Sequence, residues 1–372
     1  MDDRFCVVYS SGDEPENSFG EVCAVIDSDG RKPLLIVFFA RTTFFREYSV
    51  MLHEKYPDTE VIGSATPYIF GSDGAGTDGI YCLAVYDGIE CSGGAIPEAS
   101  KYPMKYVANV EEAVSKLKEY KNTVCMEFTT STSFSEELVL DTLNSVLSDK
   151  KIRVFGASSG ADSIKDETFV SYNGQIYANG AVFVLIRNLN GRIYLYKENM
   201  YKSTNIELRA TDVDCENRMV YEFNDKSALD LIGKDLGIPQ NMAMDFMDEH
   251  PLGRVIDRDI YIVAAREITD EGIQFHGRIY NMMPMVVLEM ENLENVWNRT
   301  ARNIKDIVGI RPSFTIAINC AARRAAFIKR NLLNDFNKKL KDSYGEYIGI
   351  TGFGEQLDGV HLNQTLVLAL FE

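Results

Sequence analysis

Three stretches of the chain repeat one order of apolar and polar runs. In the last, an apolar run from Phe314 to Ile318 ends in the small polar residues Asn319 and Cys320. Ile328, Leu332, Phe336 and Leu340 follow at four-residue spacing, which puts them on one face of a helix. A short run at Tyr347–Ile350, a Gly-rich loop and a closing run at Leu366–Phe371 complete the unit. The pattern predicts strand, helix, strand, loop, strand. An earlier copy passes from Leu34–Phe39 through Phe44, Phe45, Tyr48 and Leu52 to Val61–Ser64 and Ile80–Tyr86. Another passes from Val124–Phe128 through Val139, Leu143 and Val146 to Val154–Ala157 and Ala181–Ile186. In each, the second strand meets a glycine after two apolar residues, at Gly63, Gly156 and Gly349. Recurrence in this order outweighs any single copy, and the irregular spacing excludes a solenoid. We expect a mixed α+β fold of repeated βαββ units. They would form two largely antiparallel or mixed sheets, with helices packed on their faces and one βαβ crossover per unit.

The remaining pattern fills in around these copies. Residues 5–9 and 22–26 read as short strands, and Val110, Ala113 and Leu117 predict a helix over 109–120. The loop Gly71–Gly79 lacks the Lys-Ser/Thr of a phosphate-binding loop and reads as a hairpin connection. Ser133 and Glu136 have capping-box spacing, and Asn173-Gly174 suits a type I′ hairpin turn. Beyond about 190 the composition changes. Strands are expected at 192–197, 218–223, 260–265, 272–280 and 285–290. Asp225 would cap a helix carrying Leu229, Ile232 and Leu236, with Gly237 as its stop. Leu293, Trp297, Ile304 and Val308 form the stripe of one long helix. We expect domains over 1–190 and 191–372.

Composition narrows the partners. The 372 residues are 45% hydrophobic and 25% charged, as in a chain with a substantial core. A net charge of −17 argues against nucleic acid and against anionic membrane surfaces. No charged-then-apolar leader opens the sequence, and no apolar run nears the roughly 18 residues that span a bilayer. The seven cysteines form no CxxC pair and mostly lie in apolar runs, so a reducing, cytoplasmic setting is expected.

Several stretches carry a family resemblance: VFGASSGAD from Val154, NGQIYANGAVFVLI from Asn173, NDKSALDLIGKDLG from Asn224, HPLG from His250, CAARR from Cys320 and HLNQTLVLALF from His361. In this order they resemble the FIST domain family, N-terminal and C-terminal halves together, from about residue 17 to 372. The resemblance implies an intracellular, non-enzymatic sensory module, bacterial in type. It would bind a small ligand such as an amino acid and signal to a partner protein or a fused output domain. Some relatives are described as haem-bearing nitric-oxide sensors. The family's Gly-Cys-Ser/Thr stretch corresponds to Gly63-Ser64-Ala65-Thr66, and its Gly-Gly-x-Ala-Gly-Asp stretch to Ala157-Ser158-Ser159-Gly160-Ala161-Asp162. Its Cys-Ala-Gly-Arg-Arg stretch corresponds to Cys320-Ala321-Ala322-Arg323-Arg324. Two stretches depart from the pattern: His361-Leu362-Asn363-Gln364-Thr365 holds an insertion, and Gly352-Phe353-Gly354-Glu355 is reduced.

Candidate chemistry follows at these positions. Arg323 and Arg324 open a helix, where a guanidinium could grip a carboxylate bidentately. Two cations oppose the helix dipole there, a local conflict of the kind that marks function. Asp162 and Glu355 could hold an ammonium group. Ser64, Thr66, Ser158, Ser159, Asn319, Cys320, Thr351 and Asn363 would supply neutral contacts. The ligand would lie at the loops ending the repeated strands, near the contact of the two halves. The four histidines, His53, His250, His276 and His361, show no metal-ligand spacing, so no structural metal and no cofactor are expected. His250 is the axial candidate in the alternative of a haem sensor. Cys320, at a helix start, is the nucleophile in the alternative of a hydrolase.

Overall fold

The structure is a computed structural model that describes residues 4–12, 14–28, 30–257, 259–309 and 312–372. The chain forms two compact units. One holds the chain up to Lys197 with Ala301–Val360 and Leu366–Glu372, and the other holds Glu198–Thr300 with His361–Thr365. The division expected at 190 runs along the sequence, whereas compactness divides the chain in space.

Each copy of the repeat is realised in the first unit. In copy one, Leu35–Ala40 and Glu60–Ala65 pair in parallel across the helix Thr42–Lys55, and Ile80–Val85 adds antiparallel to Leu35–Ala40. Phe5–Ser10 completes that edge. In copy two, Thr123–Thr129 and Arg153–Ser158 pair in parallel across Glu136–Leu147; Gly180–Asn188 and then Ile89–Pro97 follow antiparallel. In copy three, Phe314–Cys320 and Glu346–Gly352 pair in parallel across the helices Ala321–Lys329 and Leu333–Tyr344, and Thr365–Phe371 adds antiparallel. A parallel pair needs a crossover, and an amphipathic helix supplies one by burying its apolar stripe on the sheet. Val139, Leu143 and Leu147 do so against Cys125, Val154, Phe183 and Leu185. Phe45, Tyr48 and Leu52 do so against Ile36, Phe38, Val61 and Cys82. The other faces of the sheets are buried as well, which is why Leu35–Ala40 is apolar and buried throughout. Phe39 and Phe128 meet edge to face there, 5.6 Å apart.

After its second strand each copy sends a hairpin to another copy's sheet. The copy-one hairpin Ile69–Gly71/Gly74–Gly76 adds to Glu346–Gly352 of copy three. The copy-two hairpin Val170–Tyr172/Gln175–Tyr177 adds to Glu60–Ala65 of copy one. Gly354–Leu357 of copy three adds to Arg153–Ser158 of copy two. The exchange is cyclic, so the free edge of each second strand is covered. Every hairpin places one residue opposite the recurrent glycine: Phe70 on Gly349, Ser171 on Gly63 and Gln356 on Gly156.

The second unit has its own core, with Leu208, Phe223, Met247, Val263, Phe275 and Val287 among its buried residues. Its long strand Tyr201–Asp214 pairs antiparallel with both Pro284–Met290 and Met219–Phe223.

The mixed α+β class is as expected, but among the described residues the strands form four sheets rather than the expected two, because each copy of the repeat builds its own sheet and the second unit adds another. Four local expectations are corrected. Residues 22–26 end the helix Pro15–Ile26, because Val22, Cys23 and Ile26 are spaced for one helical face. Ser133 lies in a short 3₁₀ turn before Phe134 at φ +50°, and the helix Glu136–Leu147 begins without a side-chain cap. Asp225, at φ +60°, sits with Asn224 in a turn instead of capping a helix. The copy-three helix breaks at Asn331, φ +56°. Phe327 therefore enters the core and Ile328 is half exposed. The Asn173-Gly174 turn has the positive φ values of a type I′ hairpin, +46° and +76°.

Candidate functional site

The ends of the three second strands converge. Gly160 N–H donates to Ala65 O at 3.0 Å, and Phe353 N–H donates to Ser158 O at 3.0 Å. Counted from the recurrent glycines, these bonds are equivalent. The third member of the ring would come from Pro67, which has no N–H. The neighbouring Thr66 hydroxyl takes its place, lying 2.9 Å from Thr351 O. It also lies 2.9 Å from Tyr68 O and accepts from Tyr68 N–H and Thr351 N–H, both at 3.2 Å. Gly160 is needed here, since a Cβ would stand 2.6 Å from Pro67 Cδ. Ser64, Thr66, Ser158, Ser159 and Thr351 thus come together as the sequence suggested, but as buried groups. Ser64 and Thr66 bond to backbone, and Ser158 bonds to the Glu136 carboxylate at 3.2 Å. Ser159 Oγ, Thr351 Oγ1 and Asn319 Oδ1 are buried without a hydrogen-bond partner among the described residues. Asn319 and Thr351 stand opposite each other in register.

The paired arginines have different surroundings. Arg323 is fully buried beneath Phe327 and Phe336, with its guanidinium 5.2 and 5.6 Å from their ring centres. Burial lowers its pKa from the usual arginine value, and the fully buried Glu355 carboxylate pulls it back up. Glu355 is therefore the counter-charge of Arg323. Arg324, one residue on, is half-buried and lies over Tyr68, with its guanidinium carbon 4.0 Å from the ring centre. Burial lowers its pKa too, and among the described residues no carboxylate opposes that effect. Its Nε is buried without a hydrogen-bond partner. Asn337 reaches the same ring, its Nδ2 donating to Tyr68 Oη at 3.3 Å, while its Oδ1 is buried without a donor. Arg324, Tyr68 and Asn337 thus form one cluster that holds a buried unpartnered donor, Arg324 Nε, and a buried unpartnered acceptor, Asn337 Oδ1, among the described residues. The Tyr68 carbonyl accepts from Thr351 N–H at 3.1 Å, so this cluster is one residue from the ring of strand ends.

Asp162 is exposed and engaged by Arg41, whose Nη2 lies 2.5 Å from Oδ2 and whose Nη1 reaches Asp78 at 3.2 Å. Asn363 falls in the second unit, where Oδ1 accepts from Ala264 N–H at 3.1 Å. Cys320 is buried at the strand end before Ala321–Lys329. His250, in the second unit, stacks on Phe246 at 4.7 Å, and its Nδ1 lies 3.1 Å from Leu288 O. Tyr68 and Asn337 were missed. Neither sits in a motif, and only the crossing of copy one into the copy-three sheet brings them to Arg324.

Among the described residues no helix is long and apolar enough to cross a membrane, and no group of three or more His, Cys, Asp or Glu side chains is placed to hold a metal. A family model described as FIST N domain matches residues 33–226, just over half of the chain. No curated protein matches the chain.

Proposed function

The chain belongs to the FIST family of sensory and signal-transduction domains, and we propose that it binds a small carboxylate, first of all an amino acid, at Arg324, Tyr68 and Asn337. The observation that carries this reading is Arg324. In a chain of net charge −17, a half-buried arginine without a carboxylate partner among the described residues is a costly arrangement. An arriving carboxylate would offset that cost through a bidentate pair. The helix Ala321–Lys329 starts just before Arg324 and favours an anion as well. The Asn337 amide oxygen could accept from the ligand's ammonium or amide group.

Occupancy would be relayed through Tyr68. Its ring would meet the ligand while its backbone holds Thr351 and Thr66, so a displaced ring shifts the lock between strand ends. A ligand moves such an equilibrium only by its differential affinity for the two states. The receiver would be a partner protein or an output domain, in a cytoplasmic setting and without catalysis. Thermal-shift screening against amino acids and other small carboxylates, followed by calorimetry on Arg324→Ala, tests the reading. A hit should lose at least about tenfold in affinity, the scale of one charge-assisted hydrogen bond. Unchanged binding to the variant overturns the assignment.

A further inference from the structure

The three repeats fill one equivalent space in different ways. Beneath its crossover helix, each recurrent glycine makes room for a side chain lying across it. At Gly63 that group is the Phe38 ring, 2.2 Å from where a Cβ would stand and stacked 5.2 Å from Phe45 of its helix. At Gly349 it is the Phe70 ring, 2.4 Å from such a Cβ and 6.3 Å from Phe336. At Gly156 the nearest atom is the Glu127 backbone carbonyl oxygen, 2.2 Å from the corresponding point, and the side chain lying there is the Glu127 carboxyl, with its Cδ 2.8 Å away. The architecture accepts a phenyl ring here twice. A carboxyl in copy two is a departure that the fold itself does not need.

The surroundings of Glu127 define its state. It is wholly buried. Its Oε2 lies 2.7 Å from Thr129 Oγ1, and its Oε1 has no hydrogen-bond partner among the described residues. From the helix above, the facing charged group is the buried carboxylate Glu136. Glu136 is bonded by Ser158, which in turn accepts from Gln356 Nε2 at 3.0 Å. On its own strand the titratable neighbour is the buried Cys125 thiol, and its antiparallel partner is Phe183. No cation faces it among the described residues. An ionised, unpaired carboxylate in such a place is strongly disfavoured.

We propose that Glu127 is a proton-operated latch: protonated it packs as an apolar repeat residue does, and ionised it repels Glu136 and loosens the Ser158 strand end. Burial raises its pKa to about 8, within reach of mildly alkaline conditions, against the lowering effect of the Thr129 hydrogen bond and with a smaller push from Glu136. Glu136 and Ser158 connect this group to the ring of strand ends, because Ser158 O is the acceptor of Phe353 N–H.

The sign of the pH effect follows. The folded state holds this proton to a higher pH than the unfolded chain. Its stabilising influence is complete below the ordinary carboxyl range and is lost as pH rises toward about 8. The test compares the whole protein with Glu127→Gln across that window. The variant-to-wild-type ratio of folding equilibrium constants should rise by up to about tenfold per pH unit and level off above the folded pKa. At pH 6 infrared spectra should show a protonated-carboxyl stretch that the variant lacks. Exchange of the Ser159, Gly160 and Phe353 amides should accelerate more at alkaline pH in wild type than in the variant. Should Glu127→Gln fail to fold, Glu127→Phe, which copies the first repeat, serves in its place. A flat ratio, or no protonated-carboxyl band at pH 6, overturns the proposal. So does restoration of alkaline stability by magnesium or calcium chloride at an ionic strength matched with sodium chloride, since a cation would then be the missing partner.

Discussion

Arg323 and Arg324 are adjacent in sequence, and the helix turns them into unlike residues. Arg323 points inward to aromatic rings and to Glu355. Removing one member of a buried pair leaves the other charge uncompensated, which costs about 3–5 kcal/mol. Arg323→Ala should therefore lower stability by that amount in urea unfolding. The double change Arg323→Met with Glu355→Gln should recover most of the loss, because a neutral pair of similar bulk often packs as well as an ion pair. A double variant no more stable than Arg323→Ala would show that the pair is not the reason for the burial. The sequence revealed that these two cations sit awkwardly at a helix start. It could not reveal which one turns inward, because that depends on the break at Asn331, which brings Phe327 and Phe336 over Arg323. Glu355 read as a loop carboxylate free to hold an ammonium group, because the hairpin that buries it adds to another copy's sheet.

Among the elements, the repeated strand ends show how a local defect is repaired. Two copies close the ring with a backbone N–H, from Gly160 and Phe353, and the copy with Pro67 closes it with the Thr66 hydroxyl. Thr66→Val should leave Thr351 O short of a donor and cost about 1–3 kcal/mol in chemical denaturation. Pro67→Ala restores an N–H at the equivalent position, so adding it to Thr66→Val should return part of that loss. An equal loss in both variants would detach the hydroxyl from this role. The order strand, helix, strand was legible from Leu34–Phe39, Val124–Phe128 and Phe314–Ile318, since apolar periodicity is local information. The glycine in each second strand was legible as a position. Its purpose was not, because Phe38, Glu127 and Phe70 reach those glycines from other strands. Pattern misled where polar residues outnumbered apolar ones: 22–26 looked extended only because the helical turn before it, Glu16-Asn17-Ser18, is polar.

Cyclic hairpin exchange makes the first unit of the molecule indivisible along the chain. The family match ends at residue 226, yet the sheet of copy two takes the strand beside Arg153–Ser158 from Gly354–Leu357. The copy-one hairpin Ile69–Gly71 has its pairing partner in Glu346–Gly352. A fragment of residues 1–197 would expose the edge of Arg153–Ser158 and leave that hairpin without a sheet. It would also uncover Phe70, which packs against Phe336 and Tyr347. Exposed edges and uncovered aromatic surface produce loosely packed, aggregation-prone states rather than a smaller native fold. We therefore expect this fragment to bind a hydrophobic dye and to unfold without a sharp transition, while the full chain unfolds cooperatively. The contrast bears on sensing as well. If no copy is stable alone, a disturbance at Tyr68 is felt by three sheets at once, because each strand end is held by the next. A fragment that unfolded as sharply as the whole chain would show the copies to be independent, and the relay from Tyr68 would then have no shared structure to act on.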